Sequence, residues 1–274
     1  MNKRLAKAAF NIVTQAKSEV PDSKTNQVIC NIAGVGHVKG RKIVLTQSCR
    51  LAIEKVFSLE LGQPLLSINF EAKTRTDSAL NPDEKWAKEG VFANLICFTS
   101  LTSVPVAGMG NIPGGIILSC EPEQLDFSGV TAVVLVENGE VLKEWKQTAK
   151  LLPPPYNNAV AIYRGHGENI VKVKALINQL TLPVGLYFDY DPAGFAMAVR
   201  EKTKSNHVIL IPDAPTDVLR KLSKPETFET QLSMANSWRS TDEVLMAQMD
   251  KLRKHELAVM QEKIAAASIP ICTL

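Results

Sequence analysis

With 274 residues, of which 45% are apolar and 22% charged, the chain can form one large globular domain or two to three small ones. Its five cysteines (30, 49, 97, 120 and 272) are widely spaced and form no Cys-x-x-Cys, which excludes a disulfide framework and a zinc site and leads us to expect reduced thiols in the cytoplasm. Net charge is only +3, yet ten Lys/Arg stand against three acids between Met1 and Lys55, a balance that suits contact with a nucleic-acid backbone and equally suits a solvated helix face.

Lys3 to Val20 reads as an amphipathic helix, with Leu5, Ala8, Ala9, Ile12, Val13 and Ala16 on one face and Pro21 as its stop. Gln27–Ile32 and Lys42–Thr46 read as short strands around Ala33–Gly40, a loop rich in glycine and basic residues. Ser48 to Phe57 reads as a further helix. Helices with a two-stranded basic ribbon predict an α+β, winged-helix-like region over residues 1–127, with Lys39, Arg41, Lys42 and Lys85 as candidate DNA contacts. Glu84 to Phe98 reads as helical and Ile112 to Ser119 as a strand. Val91 to Cys120 carries no charge, but Pro105, Gly108, Gly110, Pro113, Gly114 and Gly115 break it, so no membrane span is expected.

From residue 130 a different rhythm begins. Strands are predicted at Val130–Val136, Ala159–Tyr163, Val184–Phe188 and His207–Ile211. Helices are predicted between them at Val141–Lys150, Glu168–Leu180 and Pro192–Lys202. Strands alternating with helices imply right-handed crossovers and a parallel sheet flanked by helices. Continuous apolar strands fit a sheet covered on both faces. Beyond Pro212 the chain reads as charged and helical to about Ala267.

Acids fall at the ends of two of these strands: Glu137 after the first, and Asp189 and Asp191 after the third. In parallel sheets, functional groups gather at the carboxyl ends of strands. Residues i and i+2 of a strand project to one side, about 6 to 7 Å apart. If the two strands are neighbours, three carboxylates converge, a donor set suited to Mg²⁺ or Mn²⁺ and to phosphodiester cleavage. The simpler readings are an Asn-Gly turn at Asn138-Gly139 with exposed acids, Glu140 among them, and an N-cap at Asp191 followed by Pro192. Between the acids, Arg164-Gly165-His166-Gly167 follows a strand and opens a helix. Arg164 and the Gly165–Gly167 loop are candidates to hold a phosphate, with His166 as a weaker acid–base candidate. Asp213, after the last strand, is a further candidate neighbour of the metal.

Glu137 followed by Asp189-x-Asp191 over residues 128–215 resembles the Toprim domain of topoisomerases, primases and several nucleases. Val136-Glu137-Asn138 with Asp189-x-Asp191-x-x-Gly194 is most similar to the topoisomerase VI A-subunit branch, and within it to JetD, the nuclease subunit of Wadjet-type, SMC-like plasmid-defence complexes. Arg75-Thr76-Asp77-Ser78, Asp83-Glu84-Lys85 and the late Gln261-Glu262 resemble flanking motifs of the same branch. The resemblance implies a Toprim domain at 128–215, a helical extension at 216–274, and metal ligation by Glu137, Asp189 and Asp191, with Glu262 as an accessory acid. It also implies DNA as substrate, an SMC-like ATPase complex as partner, and a role in defence against plasmids or phage; a homodimer is compatible with it. Topoisomerase VI cleaves through a tyrosine in its winged-helix domain. The tyrosines here are 156, 163, 187 and 190, so none lies in the first 155 residues, and hydrolysis by activated water is expected instead. The alternatives are a catalytically idle nucleic-acid-binding subunit of such a complex, or another Toprim enzyme such as a primase or an RNA-maturation nuclease.

Overall fold

The computed structural model describes residues 1–88, 93–165 and 169–274. The chain divides into two compact units, Met1–Val91 and Phe92–Leu274.

In the first unit, helix α1 (Lys3–Thr14) precedes strand β1 (Glu19–Pro21), helix α2 (Lys24–Ala33), the hairpin β2 (His37–Lys39) and β3 (Lys42–Val44), and helix α3 (Gln47–Leu61). The strands form an antiparallel sheet in the order β1-β3-β2. Each helix starts on a polar cap: Asn2, Ser23 and Thr46 accept from Leu5 N, Asn26 N and Cys49 N. Ala6, Ala9, Ile12, Ile29, Ile53 and Phe57 are buried between the helices. The reading of Gln27–Ile32 as a strand is corrected here: the segment lies inside α2, where the Ser23 cap and a left-handed Gly34 (φ 66°) outweigh the β-branched Val28 and Ile29. Helix α1 also ends earlier than expected, and Glu19–Val20 belongs to β1. The hairpin turn places Gly40 (φ 64°) at its first central position, where an L side chain would be strained.

The second unit holds a seven-stranded mixed sheet. Strand β4 (Ile96–Thr99) is followed by the small hairpin β5 (Val104–Val106) and β6 (Gly110–Ile112), then by β7 (Leu118–Cys120) and β8 (Val133–Val136). Helices α4 (Glu140–Lys143) and α5 (Trp145–Thr148) lead to β9 (Val160–Tyr163), α6 (Asn169–Gln179), β10 (Val184–Tyr187), α7 (Pro192–Glu201) and β11 (His207–Pro212). Four more helices, α8 (Thr216–Leu222), α9 (Pro225–Ser237), α10 (Glu243–His255) and α11 (Gln261–Ala266), precede β12 (Ile271–Thr273). The sheet order is β12-β11-β10-β8-β9-β4-β7. Strands β11, β10, β8 and β9 run parallel, in register Val184↔Val133 and Val133↔Val160, while β12, β4 and β7 add antiparallel edges. The continuous apolar runs are explained by burial on both faces, since every residue of β8 and β10 is buried.

The four expected parallel strands and the helices between them are present. The break between units at 91/92 lies before the 127/128 boundary read from the sequence, because β4 and β7 join the large sheet. Likewise, residues 216–274 are not a separate extension: β12 pairs with β11, and the helices before it build part of the acid-bearing edge. Among the described residues of Glu84–Phe98, the helical part is a 3-10 turn at Glu84–Trp86, and Ile96–Phe98 is already strand β4; residues 89–92 lie outside the described residues. The strand read at Ile112–Ser119 is split between the end of β6 and β7. No helix among the described residues is long and apolar enough to cross a membrane.

Candidate functional site

The crossover from β8 leads to β9 on one side, and the crossover from β10 leads to β11 on the other. The crevice at their carboxyl ends is therefore the topological switch point of the sheet, where ligands of open α/β sheets bind. Glu137 is the first residue after β8, and Asp189 lies two residues past β10, so the fold brings the predicted acids to that crevice. Glu137 Oε2 accepts a hydrogen bond from Asp189 N at 3.2 Å.

The geometry within the Asp-x-Asp pair differs from the strand alternation expected from spacing, because β10 ends at Tyr187. Asp191 is instead the N-cap of α7, with Pro192 in its first turn: Oδ1 accepts from Gly194 N at 2.7 Å, and Oδ2 accepts from Gln231 Nε2 of α9 at 2.9 Å. Gln231 Oε1 also accepts from Ala193 N at 2.9 Å. Gly194 is required by proximity, since a Cβ there would sit 2.3 Å from the Asp189 carbonyl oxygen. The Asn-Gly turn likewise leads into a helix rather than a hairpin, with Asn138 Oδ1 accepting from Glu140 N at 3.0 Å.

The C-terminal helices complete this edge. Gln261, wholly buried, donates from Nε2 to Tyr187 O at 2.7 Å and accepts at Oε1 from Asn138 N at 3.1 Å. Its backbone N donates to Asp189 Oδ1 at 2.8 Å. Next to it, Glu262 accepts from Asn138 Nδ2. Val259 pairs antiparallel with Tyr190 through two backbone hydrogen bonds. The late Gln-Glu dipeptide carries a family resemblance but no geometric signal, because its partners lie more than 70 residues away in the chain. Gln231 gives no signal at all.

These acids raise one another's proton affinity. Burial pushes the Asp189 carboxyl up to about 7, and the charges of Glu137, Asp191 and Glu262 add to the effect, against the Gln261 N–H that lowers it. Burial also raises Glu137, with a further rise from Asp191; the Asp189 N–H and the more distant Arg164 oppose it. Among the described residues, no lysine or arginine forms an ion pair with Glu137, Asp189, Asp191 or Glu262. Nor is any group of three or more His, Cys, Asp or Glu side chains placed to hold a metal ion as it stands. The chemistry of the donor set nevertheless fits a hard cation. Glu137 and Asp189 are hard oxygen donors at one crevice, where Asp191 and Glu262 add like charge and only the charge of Arg164, acting on Glu137, opposes it.

Other candidates lie elsewhere. Arg164 follows β9 and is tied by its N–H to Val136 O at 2.9 Å, with Nε 3.9 Å from Glu201 Oε1 of α7. Lys174 Nζ of α6 lies 2.7 Å from the same Glu201 oxygen. Gly165 adopts φ 88°, and a Cβ there would meet Asn169 Oδ1 at 2.5 Å. His166 and Gly167 lie outside the described residues. Glu140 pairs with Lys143 on the exposed side of α4. Asp213 is exposed after β11, where its N–H bonds Pro270 O at 2.7 Å and its charge adds to the burial that raises the Cys272 thiol, so its described contacts are away from the acids. In the first unit, Lys39, Arg41 and Lys85 are exposed, while Lys42 pairs with Glu19. The Arg75–Ser78 fragment is a turn in which Thr74 and Asp77 bond each other reciprocally and buried Ser78 accepts from Asn81.

Residues 93–273, well over half of the chain, match the family model described as "Domain of unknown function (DUF7281)", and the chain belongs to that family. No curated protein matches the sequence.

Proposed function

We propose that this member of the DUF7281 family is a divalent-metal-dependent nuclease of the Toprim type, which hydrolyses phosphodiester bonds in DNA. One observation carries the reading: a coupled set of carboxylates at the switch point of a parallel sheet, with Asp189 raised to about 7 and, among the described residues, no lysine or arginine in an ion pair with it. Glu137 and Asp189 would hold Mg²⁺ or Mn²⁺, with Asp191 fixing the loop after β10 and Glu262 held by Asn138. Such a cation would supply Lewis-acid polarisation of a phosphodiester and activation of water. The chain's own part is to hold hard oxygen donors in one crevice. Gln231 and Gly194 lock the Asp191 turn, and Asn138 orients Glu262.

The resemblance over residues 128–215 supports the same reading and suggests the wider setting: a cytoplasmic DNA-cleaving subunit in defence against plasmids or phage, partnered by an SMC-like ATPase complex. The first unit would be a winged-helix-like DNA-binding module, with Lys39 and Arg41 at the tip of its hairpin as backbone contacts. The absence of tyrosine from the first 155 residues favours hydrolysis over transesterification.

A second reading, a catalytically idle nucleic-acid-binding subunit, is favoured by one feature: both Asp191 oxygens already accept hydrogen bonds. Plasmid nicking with Mg²⁺ or Mn²⁺ separates the two. Cleavage by the wild type that is lost in Glu137→Ala and Asp189→Ala supports the nuclease. Cleavage indifferent to both substitutions refutes it, and DNA binding without cleavage under either metal supports the idle subunit.

A further inference from the structure

Resting on the metal-dependent reading, we infer that Gln261 is a positioning residue that sets the gap between the two acid-bearing loops. The hydrogen-bonded register of β8 and β10 closes at Val136↔Tyr187. Past that rung, the Gln261 side-chain amide bridges the loop after β8 and the end of β10, donating to Tyr187 O at 2.7 Å and accepting from Asn138 N at 3.1 Å.

The same residue acts on the acids directly. Its backbone N–H holds Asp189 Oδ1 at 2.8 Å, and its neighbour Glu262 is held by Asn138, whose own N–H Gln261 accepts. One buried side chain thus joins the loop after β8, the end of β10 and the start of α11. A residue serving only the core would need neither the amide's donor nor its acceptor. Groups that orient metal ligands in this way typically account for 10- to 100-fold in metal affinity.

The test is Mn²⁺ affinity, read by the electron paramagnetic resonance signal of free Mn²⁺, alongside plasmid nicking and thermal melting of the full chain. Gln261→Met keeps the volume and removes both side-chain hydrogen bonds; Gln261→Ala removes the side chain; Leu219→Ala, in the buried core of α8, destabilises without touching the crevice. We expect Mn²⁺ affinity to fall about 10-fold or more in Gln261→Met. Nicking should recover in part at high Mn²⁺, and Leu219→Ala should melt earlier with its Mn²⁺ affinity unchanged. Where Gln261→Ala does not fold, Gln261→Met decides. Wild-type affinity in folded Gln261→Met, or an equal loss in Leu219→Ala, overturns the positioning role while leaving the nuclease reading intact. A wild type that binds no Mn²⁺ overturns both.

Discussion

Glu201 and Asp189 are carboxylates that folding draws away from water in the same unit, and their surroundings differ. Glu201, at the end of α7, is 8% exposed and meets Lys174 at 2.7 Å and Arg164 at 3.9 Å. Its compensating charge is built into the chain, as buried charge requires. Asp189 has the opposite environment: burial raises its carboxyl to about 7, the Gln261 N–H opposes that rise, and the like charges of Glu137, Asp191 and Glu262 add to it. A site that concentrates like charges, with no ion pair to a lysine or arginine among the described residues, is balanced by protons or by a cation from solution. That contrast is the physical core of the functional proposal, and it can be broken from either side.

The largest effect is expected from Glu137→Ala. Loss of a metal-holding carboxylate should lower metal-dependent nicking by about 100-fold or more, measured as initial rate at saturating Mn²⁺. Gly194→Ala comes next. Its Cβ would strike the Asp189 carbonyl, and we expect about 1–3 kcal/mol of destabilisation in urea unfolding together with a weakened response to Mn²⁺. From the other side of the comparison, Lys174→Met should cost about 1–2 kcal/mol by leaving Glu201 with Arg164 alone, and added Mn²⁺ should restore none of it.

Asp189→Asn sharpens the contrast through its sign. The folded carboxyl lies near 7 against an ordinary 3.8, so folding favours the protonated form. This stabilisation is complete below about pH 3.8 and is lost as pH rises through 7; above that, the ionised group costs stability. The neutral amide escapes that cost. In EDTA at pH 8, Asp189→Asn should therefore be more stable than wild type by about 2 kcal/mol, and the difference should shrink toward pH 5. Smallest is the effect of Lys39→Ala with Arg41→Ala, which should lower the salt dependence of DNA binding by about one unit of slope for each basic side chain that meets a phosphate.

Much of this edge is legible in the sequence because its determinants are local. Four apolar runs specify the parallel strands, an acid at the end of a buried run marks a strand's carboxyl end, and Asp191-Pro192 with Gly194 encodes a helix start. What is not legible depends on partners distant in sequence. β12 exists by pairing Ile271–Thr273 with β11, and Gln261 and Gln231 acquire their roles from partners 38 to 123 residues away. Local conflict explains why α2 reads as a strand: Val28 and Ile29 favour one, but the Ser23 cap, the left-handed Gly34 and packing of Ile29 against the neighbouring helices decide for a helix. The spacing of Asp189 and Asp191 also suggests strand alternation, which fails because the strand stops two residues before the first of them.

The most direct test of the central claim is the melting temperature of the full chain in EDTA and in Mn²⁺, at pH 5 and pH 8, for wild type and Glu137→Ala. The account predicts that Mn²⁺ raises the wild-type midpoint at pH 8, does so far less at pH 5, where protons already occupy Asp189, and has little effect on Glu137→Ala at either pH. A wild-type midpoint indifferent to Mn²⁺ at pH 8, or an equal rise in Glu137→Ala, would contradict it.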